Sequence, residues 1–309
     1  MSSYHVQRSI VIDAPLLTLR DSLKNFKDWP LWSPWLVMEP DATLTYTTDQ
    51  GEVGAGYGWS GTLVGSGSVE LQEVKEDALK MQITFAQPMK SSAEIQFHLE
   101  EASEGTKVTW MMDGHLPFFM FWMTGKMQSF IGMDYERGLL MLKEYIETGA
   151  VASYVHIEGV LPMKVQNYIG IPNASSIDKV GEVMKEDFEK LYDFMKNNNL
   201  SLDRIPFTIY NTFNIFEGAT EYVACIPVNE EVDIDASWVR GSLDISETLK
   251  TMHKGSYVHL GNGWMTAMSF ARLKNMKVLK SPVGYEFYPN NPYETPKEEL
   301  VTEIFIPLK

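Results

Sequence analysis

Gly284-Tyr285-Glu286-Phe287-Tyr288-Pro289-Asn290-Asn291-Pro292 sets one carboxylate inside a run of aromatic residues, at the end of an expected strand and just before a turn. Period-2 alternation puts Tyr285 and Phe287 on one face and Glu286 and Tyr288 on the other. A carboxylate on the inner face of a sheet is costly to desolvate unless something pairs with it. Three readings are open for Glu286. It is a counter-charge for an organic cation held between Tyr or Trp faces. It is a desolvated general acid or base, or a group that positions water for attack. Or it only accepts hydrogen bonds from buried Tyr hydroxyls or a turn. Its expected aromatic company is Tyr168, Tyr210, Phe213, Trp238, Trp264, Tyr285 and Tyr288. Trp264 stands out because Gly261-Asn262-Gly263 brings it to a helix start facing the expected cleft.

Other chemistry has little support. The six His never form HxxxH or HxH spacing, and Cys225 is the only cysteine, so no metal site and no disulfide is expected. Cys225 lies in the apolar run Tyr222-Val223-Ala224-Cys225-Ile226 and reads as buried filler rather than a reactive thiol. No G-x-S-x-G elbow supports a serine triad. Gly54, Gly56 and Gly58 precede no helix and no phosphate-reading Lys, so they read as sheet bends rather than a nucleotide loop. No cofactor is expected. Residues 1–150 carry 11 Lys/Arg against 20 Asp/Glu, and residues 151–309 carry 15 against 21. Neither half has the basic footprint that phosphate backbones demand, so direct nucleic-acid binding is not expected. No apolar run approaches the roughly 20 residues of a membrane span. The N-terminus does not read as a signal peptide, and the expected location is cytoplasmic.

The elements that must position Glu286 come in two sets. In the first half, strand 4–12 runs into Asp13-Ala14-Pro15, a helix start continued by Leu16, Leu17, Leu19 and Leu23. Trp29, Trp32 and Trp35, interrupted by Pro30 and Pro34, read as an irregular aromatic-packed turn. Strands are expected at Thr43–Thr48, Tyr57–Gly61, Ser66–Glu73, Lys80–Phe85, Ser92–Leu99 and Thr106–Met112. A helix from Met127 to Thr148, stopped by Gly149, follows. Pro117–Met123 is very apolar and has three readings: buried core, a Met-rich lid over a cavity mouth, or a partner-binding patch. Ser9–Pro15, Asp28–Trp35, Gly54–Gly61 and Thr106–Trp110 resemble motifs of the START-like, polyketide-cyclase/dehydrase (SRPBCC) superfamily over residues 4–147. That resemblance implies a curved antiparallel sheet gripping a long C-terminal helix, with a cavity for a hydrophobic ligand.

The second half repeats itself. Strand Tyr154–Val160 and strand Met163–Ile171 lead to an amphipathic helix from near Ser176 to Asn199, then strands Phe207–Phe213 and Glu221–Pro227. The same syntax returns as strand Leu249–Leu260, helix Trp264–Asn275, and strands Val283–Tyr288 and Thr302–Leu308. Phe207–Asn211 aligns with Tyr285–Pro289, which sets Thr208 opposite Glu286 in the repeat. A cleft between the halves is the expected ligand site. Tyr285–Pro292 followed by Thr302–Leu308 resembles the GyrI-like effector-binding domain, found at the C-terminus of AraC- and MerR-type activators and also alone. The resemblance implies that Glu286 lies in an aromatic ligand pocket; some free-standing members resemble hydrolases of strained electrophilic rings. Glu303 matches a family position and is expected to pair structurally. No helix-turn-helix precedes the domain.

The chain therefore reads as α+β in two domains: residues 1–150, a helix-grip hydrophobic ligand-binding domain, and residues 151–309, a duplicated strand-helix-strand-strand domain with pseudo-two-fold symmetry. The expected function is small-molecule binding by a stand-alone sensor or sequestering protein, with a small hydrophobic or cationic ligand held by Glu286, Trp264, Tyr210, Tyr168, Tyr285, Tyr288 and Trp238. The alternative is a hydrolase of small electrophilic xenobiotics using Glu286 with an aromatic partner. A module acting on a separately encoded regulator, and a homodimer, stay open as well.

Overall fold

The computed structural model describes residues 2–47, 49–163, 166–201, 204–244 and 247–309. Thr48, at the end of one expected strand, and Lys164 and Val165, inside another, lie outside the described residues. The chain divides into two compact units, Met1–Ala152 and Ser153–Lys309.

The first unit is one antiparallel sheet with two helices. Its strands are β1 (Ser2–Ile12), β2 (Thr43–Tyr46), β3 (Gly56–Ser60), β4 (Ser66–Val74), β5 (Ala78–Gln87), β6 (Ser91–Ala102) and β7 (Gly105–Leu116), in the order β1-β7-β6-β5-β4-β3-β2. Helix α1 (Leu16–Lys24) follows Pro15, whose fixed φ suits a helix start. Helix α2 (Thr124–Thr148) ends at Gly149, which takes φ 83° and returns its N–H to the Tyr145 carbonyl at 2.8 Å. Trp29, Trp32 and Trp110 pack with Phe97 and Tyr135 of α2, all fully buried. The Trp110 and Tyr135 rings stack at 3.9 Å. The aromatic-packed turn of the sequence is thus two short 3₁₀ turns feeding rings into the core. Within Pro117–Met123, Met123 packs against the core while the aromatic residues Phe119, Phe121 and Trp122 face outward. The segment forms a 3₁₀ helix, Phe118–Met123, whose Phe119, Phe121 and Trp122 are 74%, 61% and 62% exposed.

Among its described residues the second unit holds eight antiparallel strands and two α-helices. The strands are β8 (Ser153–Leu161), β9 (Gln166–Ser176), β10 (Phe207–Asn214), β11 (Ala219–Pro227), β12 (Val239–Leu243), β13 (Thr248–Gly255), β14 (Gly284–Phe287) and β15 (Val301–Pro307). The helices are α3 (Val180–Asn197) and α4 (Gly261–Leu273). The sheet order is β12-β9-β11-β10-β14-β15-β13-β8. The halves β9-α3-β10-β11 and β13-α4-β14-β15 are therefore mirrored about the β10–β14 ladder, as the repeat requires. Each half also lends a strand to the other: β8 pairs with β13, and β12 pairs with β9. The short strand β12 was not expected. The expected strand through Leu260 stops at Gly255 and gives way to a 3₁₀ turn, Tyr257–His259, because Ser256 caps it through Val258 N–H.

Helix α3 buries Met184, Asp187, Leu191 and Met195, a 3-4-4 stripe against the sheet. Helix α4 buries Gly263, Thr266, Ala267 and Ala271, small residues that let its backbone approach β13 and β15 closely. The opposite face of the sheet carries a separate cluster of Phe207, Ile209, Val223, Cys225, Tyr285 and Phe305.

Candidate functional site

The β10–β14 ladder pairs Phe207 with Phe287, Thr208 with Glu286, and Ile209 with Tyr285. Turning the repeat about its pseudo-two-fold exchanges Thr208 with Glu286, so the axis passes through that pair. Strand parity sends both side chains toward α3 and α4, and sends Tyr285 and Phe287 to the other face.

Glu286 is only 2% exposed and takes three hydrogen bonds. Trp264 Nε1, from the first turns of α4, donates to Oε1. The Tyr210 hydroxyl donates to Oε2 at 2.9 Å, and the Tyr288 hydroxyl donates to the same oxygen at 2.7 Å. All three donors are neutral, and no Lys, Arg or His pairs with Glu286 among the described residues. Burial pushes the Glu286 carboxyl above the ordinary carboxylate range, opposed by the donors Trp264, Tyr288 and Tyr210. Burial, and then the Glu286 charge, hold the Tyr210 and Tyr288 hydroxyls well above their usual value, so both remain donors at neutral pH.

The opposite half offers a softer copy of this arrangement. Thr208 Oγ1 reaches Met184 Sδ of α3 at 3.3 Å and lies 3.0 Å from the Tyr288 hydroxyl. Met184 stands to Thr208 as Trp264 stands to Glu286. Aromatic walls complete the site. Trp264 meets Tyr210 edge-on at 5.4 Å, while Phe188 and Tyr257 meet Tyr288 edge-on at 5.7 and 5.9 Å. The Tyr257 hydroxyl is pushed up to about 12, by burial first and then by the Glu286 charge.

Four expected site residues thus come together: Glu286, Trp264, Tyr210 and Tyr288. Three do not. Tyr285 and Tyr168 lie with the cluster on the far face of the sheet, Tyr168 edge-on to Phe207 at 5.5 Å, because odd and even positions of a strand face opposite ways. Trp238 joins the same apolar cluster as Tyr210, Trp264 and Tyr288 but packs on Phe194 of α3 at 5.1 Å and makes no hydrogen bond to Glu286 among the described contacts. Tyr257 and Met184 are the site neighbours that sequence reasoning left out. Thr208 was signalled by the repeat alignment, whereas Met184 was hidden in the ordinary apolar stripe of α3.

Elsewhere in this unit Asp187 is also buried. It accepts from Asn173 Nδ2 and the Tyr222 hydroxyl, both at 2.9 Å, and pairs with Lys190 at 3.3 Å. Glu303 pairs with Lys250 at 2.7 Å, and Cys225 is buried with burial raising its thiol. No group of three or more potential metal ligands occurs among the described residues. Among the described residues, no helix is long and apolar enough to cross a membrane.

Residues 170–309 match the model of the GyrI-like small molecule binding domain, and residues 3–147 match that of polyketide cyclase / dehydrase and lipid transport proteins. The chain joins these two domain types. Both point to small-molecule binding, and the Glu286 site falls inside the GyrI-like domain. No curated protein matches the chain. Similar solved structures include a Chromobacterium violaceum protein at 12% identity, over 46% of this chain and 96% of that one, with a TM-score of 0.36. The Aha1 dimer from Colwellia psychrerythraea is similar at 18% identity, over 47% and 97%, with a TM-score of 0.35. An EcmrR–DNA complex is similar at 17% identity, over 60% of this chain and 65% of that one, with a TM-score of 0.43. These likenesses are too distant to speak to function.

Proposed function

We propose that the GyrI-like domain binds a small amphipathic molecule whose positive charge lies against Glu286, and that the protein acts as a sensor or sequestering protein. One observation carries this reading. Of the two carboxylates buried among the described residues of the unit, Asp187 has a lysine and Glu286 has only neutral donors. An ionised carboxylate out of water needs a counter-charge. Trp264, Tyr210, Tyr257 and Tyr288 supply ring surfaces suited to an organic cation. The polyketide-cyclase-type unit, with its aromatic interior, is read as the binder of a separate apolar molecule.

Calorimetric titration with organic cations, beside Glu286→Gln, tests this. Binding that falls at least tenfold in the variant supports it; equal binding by both proteins defeats it. Native mass spectrometry of the purified protein would show any ligand carried along.

A second reading rests on the same carboxyl. Burial raises its proton affinity, and a carboxyl shifted in that direction suits general acid or base work. In that case Glu286 and one of its aromatic partners would open small electrophilic rings. Product formation that Glu286→Gln abolishes decides for this reading; stoichiometric binding without product decides for the first.

A further inference from the structure

The hydroxyl of Thr208 has one proton and two acceptors in reach. Its Oγ1 lies 3.0 Å from the Tyr288 hydroxyl oxygen and 3.3 Å from Met184 Sδ, and the Tyr288 hydroxyl is itself 3.6 Å from that sulfur. Thr208 is fully buried and Glu286 nearly so, so each of these protons must find its acceptor inside the site.

With Glu286 ionised, the pattern is fixed. Both carboxylate oxygens only accept. Tyr288 gives its proton to Oε2 at 2.7 Å, so the bond between Thr208 and Tyr288 has Thr208 as its donor. The chain runs from Thr208 through Tyr288 to Glu286, each bond polarising the next.

With Glu286 neutral, that pattern fails. Trp264 occupies Oε1 and an indole N–H can only donate, so the added proton belongs on Oε2, where two tyrosines already point theirs. One of them must turn. Tyr288 has a second oxygen to turn to, Thr208 Oγ1, and Thr208 can then turn to Met184 Sδ. The Tyr210 hydroxyl neighbours that of Tyr288, so a reversal begun at Tyr210 passes to Tyr288 as well. One proton enters from solvent at Oε2, and the hydroxyls rotate without exchanging their own.

The other groups around Glu286 do not offer this exit. Among the described residues, the titratable groups facing it are Tyr210 of β10, Tyr288 directly after β14, and Tyr257 of the 3₁₀ turn. Strand β15 sets Ile304 opposite it, α4 contributes Trp264, and α3 contributes Met184 and Phe188. The buried Asp187 of α3 is taken by Asn173, Tyr222 and Lys190.

We infer that Thr208 is a positioning residue for Glu286, its hydroxyl accepting from Tyr288 when Glu286 gains a proton and donating to Tyr288 when Glu286 loses it. The inference deepens the binding role proposed for the acid, and rests on that role only where a ligand is concerned.

Carbon-13 NMR titration of Glu286 in the full chain tests it, with Thr208→Val, Thr208→Ser and Met184→Leu variants alongside. Thr208→Val keeps the shape of the side chain. In the neutral form it strands a buried hydroxyl proton, whereas in the ionised form it only leaves the Tyr288 oxygen one donor short, the milder loss. The proton affinity of Glu286 should therefore fall about tenfold. A threonine that merely supported the donor would give the opposite sign. Thr208→Ser should restore the parent titration. Met184→Leu keeps the hydroxyl and should shift the titration the same way by less, since a thioether is a weak acceptor. An unchanged or raised proton affinity in Thr208→Val overturns the inference, and so does a serine that fails to restore it. A ligand arm keeps the two readings apart. Below the carboxyl's own value, Thr208→Val should bind benzyltrimethylammonium about tenfold more tightly than the parent does, and at high pH equally. A lowered proton affinity in a protein that never binds benzyltrimethylammonium upholds the role of Thr208 and defeats the cation reading instead.

Discussion

Tyr210 and Tyr288 hold equivalent places in the two halves of the C-terminal unit, and both donate to one oxygen, Glu286 Oε2, at 2.9 and 2.7 Å. The pseudo-two-fold thus delivers two identical donors to an acid that only one half possesses. Each hydrogen bond stabilises the ionised carboxylate. Tyr210→Phe and Tyr288→Phe should each raise the carboxyl's proton affinity further and weaken cation binding about tenfold, since a hydrogen bond to a charged group contributes ~1.5–3 kcal/mol. Carbon-13 NMR titration of the Glu286 carboxyl reads the first effect and calorimetry the second. An unchanged titration in both variants would count against the shared-oxygen arrangement.

The raised carboxyl also fixes a pH dependence. Burial favours the neutral acid, whereas a bound cation favours the carboxylate. The affinity for a permanently charged cation should therefore be constant at high pH and fall by about tenfold per unit once pH drops below the carboxyl's own value. A neutral ligand of the same shape should show no such fall. Titrations across pH 4 to 8 with the matched pair make the comparison.

Gly284 precedes the critical acid by two residues and does a separate job. A methyl group there would lie 2.6 Å from Trp264 Cη2 and 2.9 Å from the Phe305 carbonyl oxygen. Gly284→Ala should push the indole away from Glu286 Oε1 and cost cation affinity without touching any charge. Tryptophan fluorescence of the variant, read beside its binding isotherm, checks whether the two losses go together.

Stability should have its own pH signature. His253 is fully buried on β13, its Nε2 3.1 Å from the Ser153 hydroxyl, while Asn262 donates to that hydroxyl at 2.9 Å. Burial first, and neighbouring His259 second, lower it from 6.5 to about 4. The folded protein thus binds this proton less readily than the unfolded chain does. Its contribution is complete above pH 6.5 and is lost as pH falls toward 4, a loss of about 3 kcal/mol. Urea unfolding at intervals through that window should show the slope, and a His253→Gln variant should flatten it.

Much of this site was legible in advance because strand parity is local. The alternation Tyr285, Glu286, Phe287, Tyr288 already separated the two faces, and the repeat already matched Thr208 to Glu286. What escaped was set by distance in the chain. Tyr168 and Trp238 were grouped with the acid by residue type, yet β9 turns Tyr168 to the far face and Trp238 packs on α3. From sequence Tyr257 reads as strand, because one Ser cap after Gly255 is a weak signal beside an apolar run. The exchange of β8 and β12 had no local signature at all, since either strand could have paired within its own half.

That exchange constrains how the proposed binding site could adapt. The sheet beneath Glu286 is continuous across the axis, and each half is laced to the other by a borrowed edge strand. The halves cannot hinge apart like jaws without breaking several ladders at once. On the proposed binding role, a larger guest would be accommodated by α3 and α4 shifting over the sheet rather than by the sheet opening. Met184 and Trp264, which ride on those two helices, are then the moving parts, and Glu286 is the stationary one.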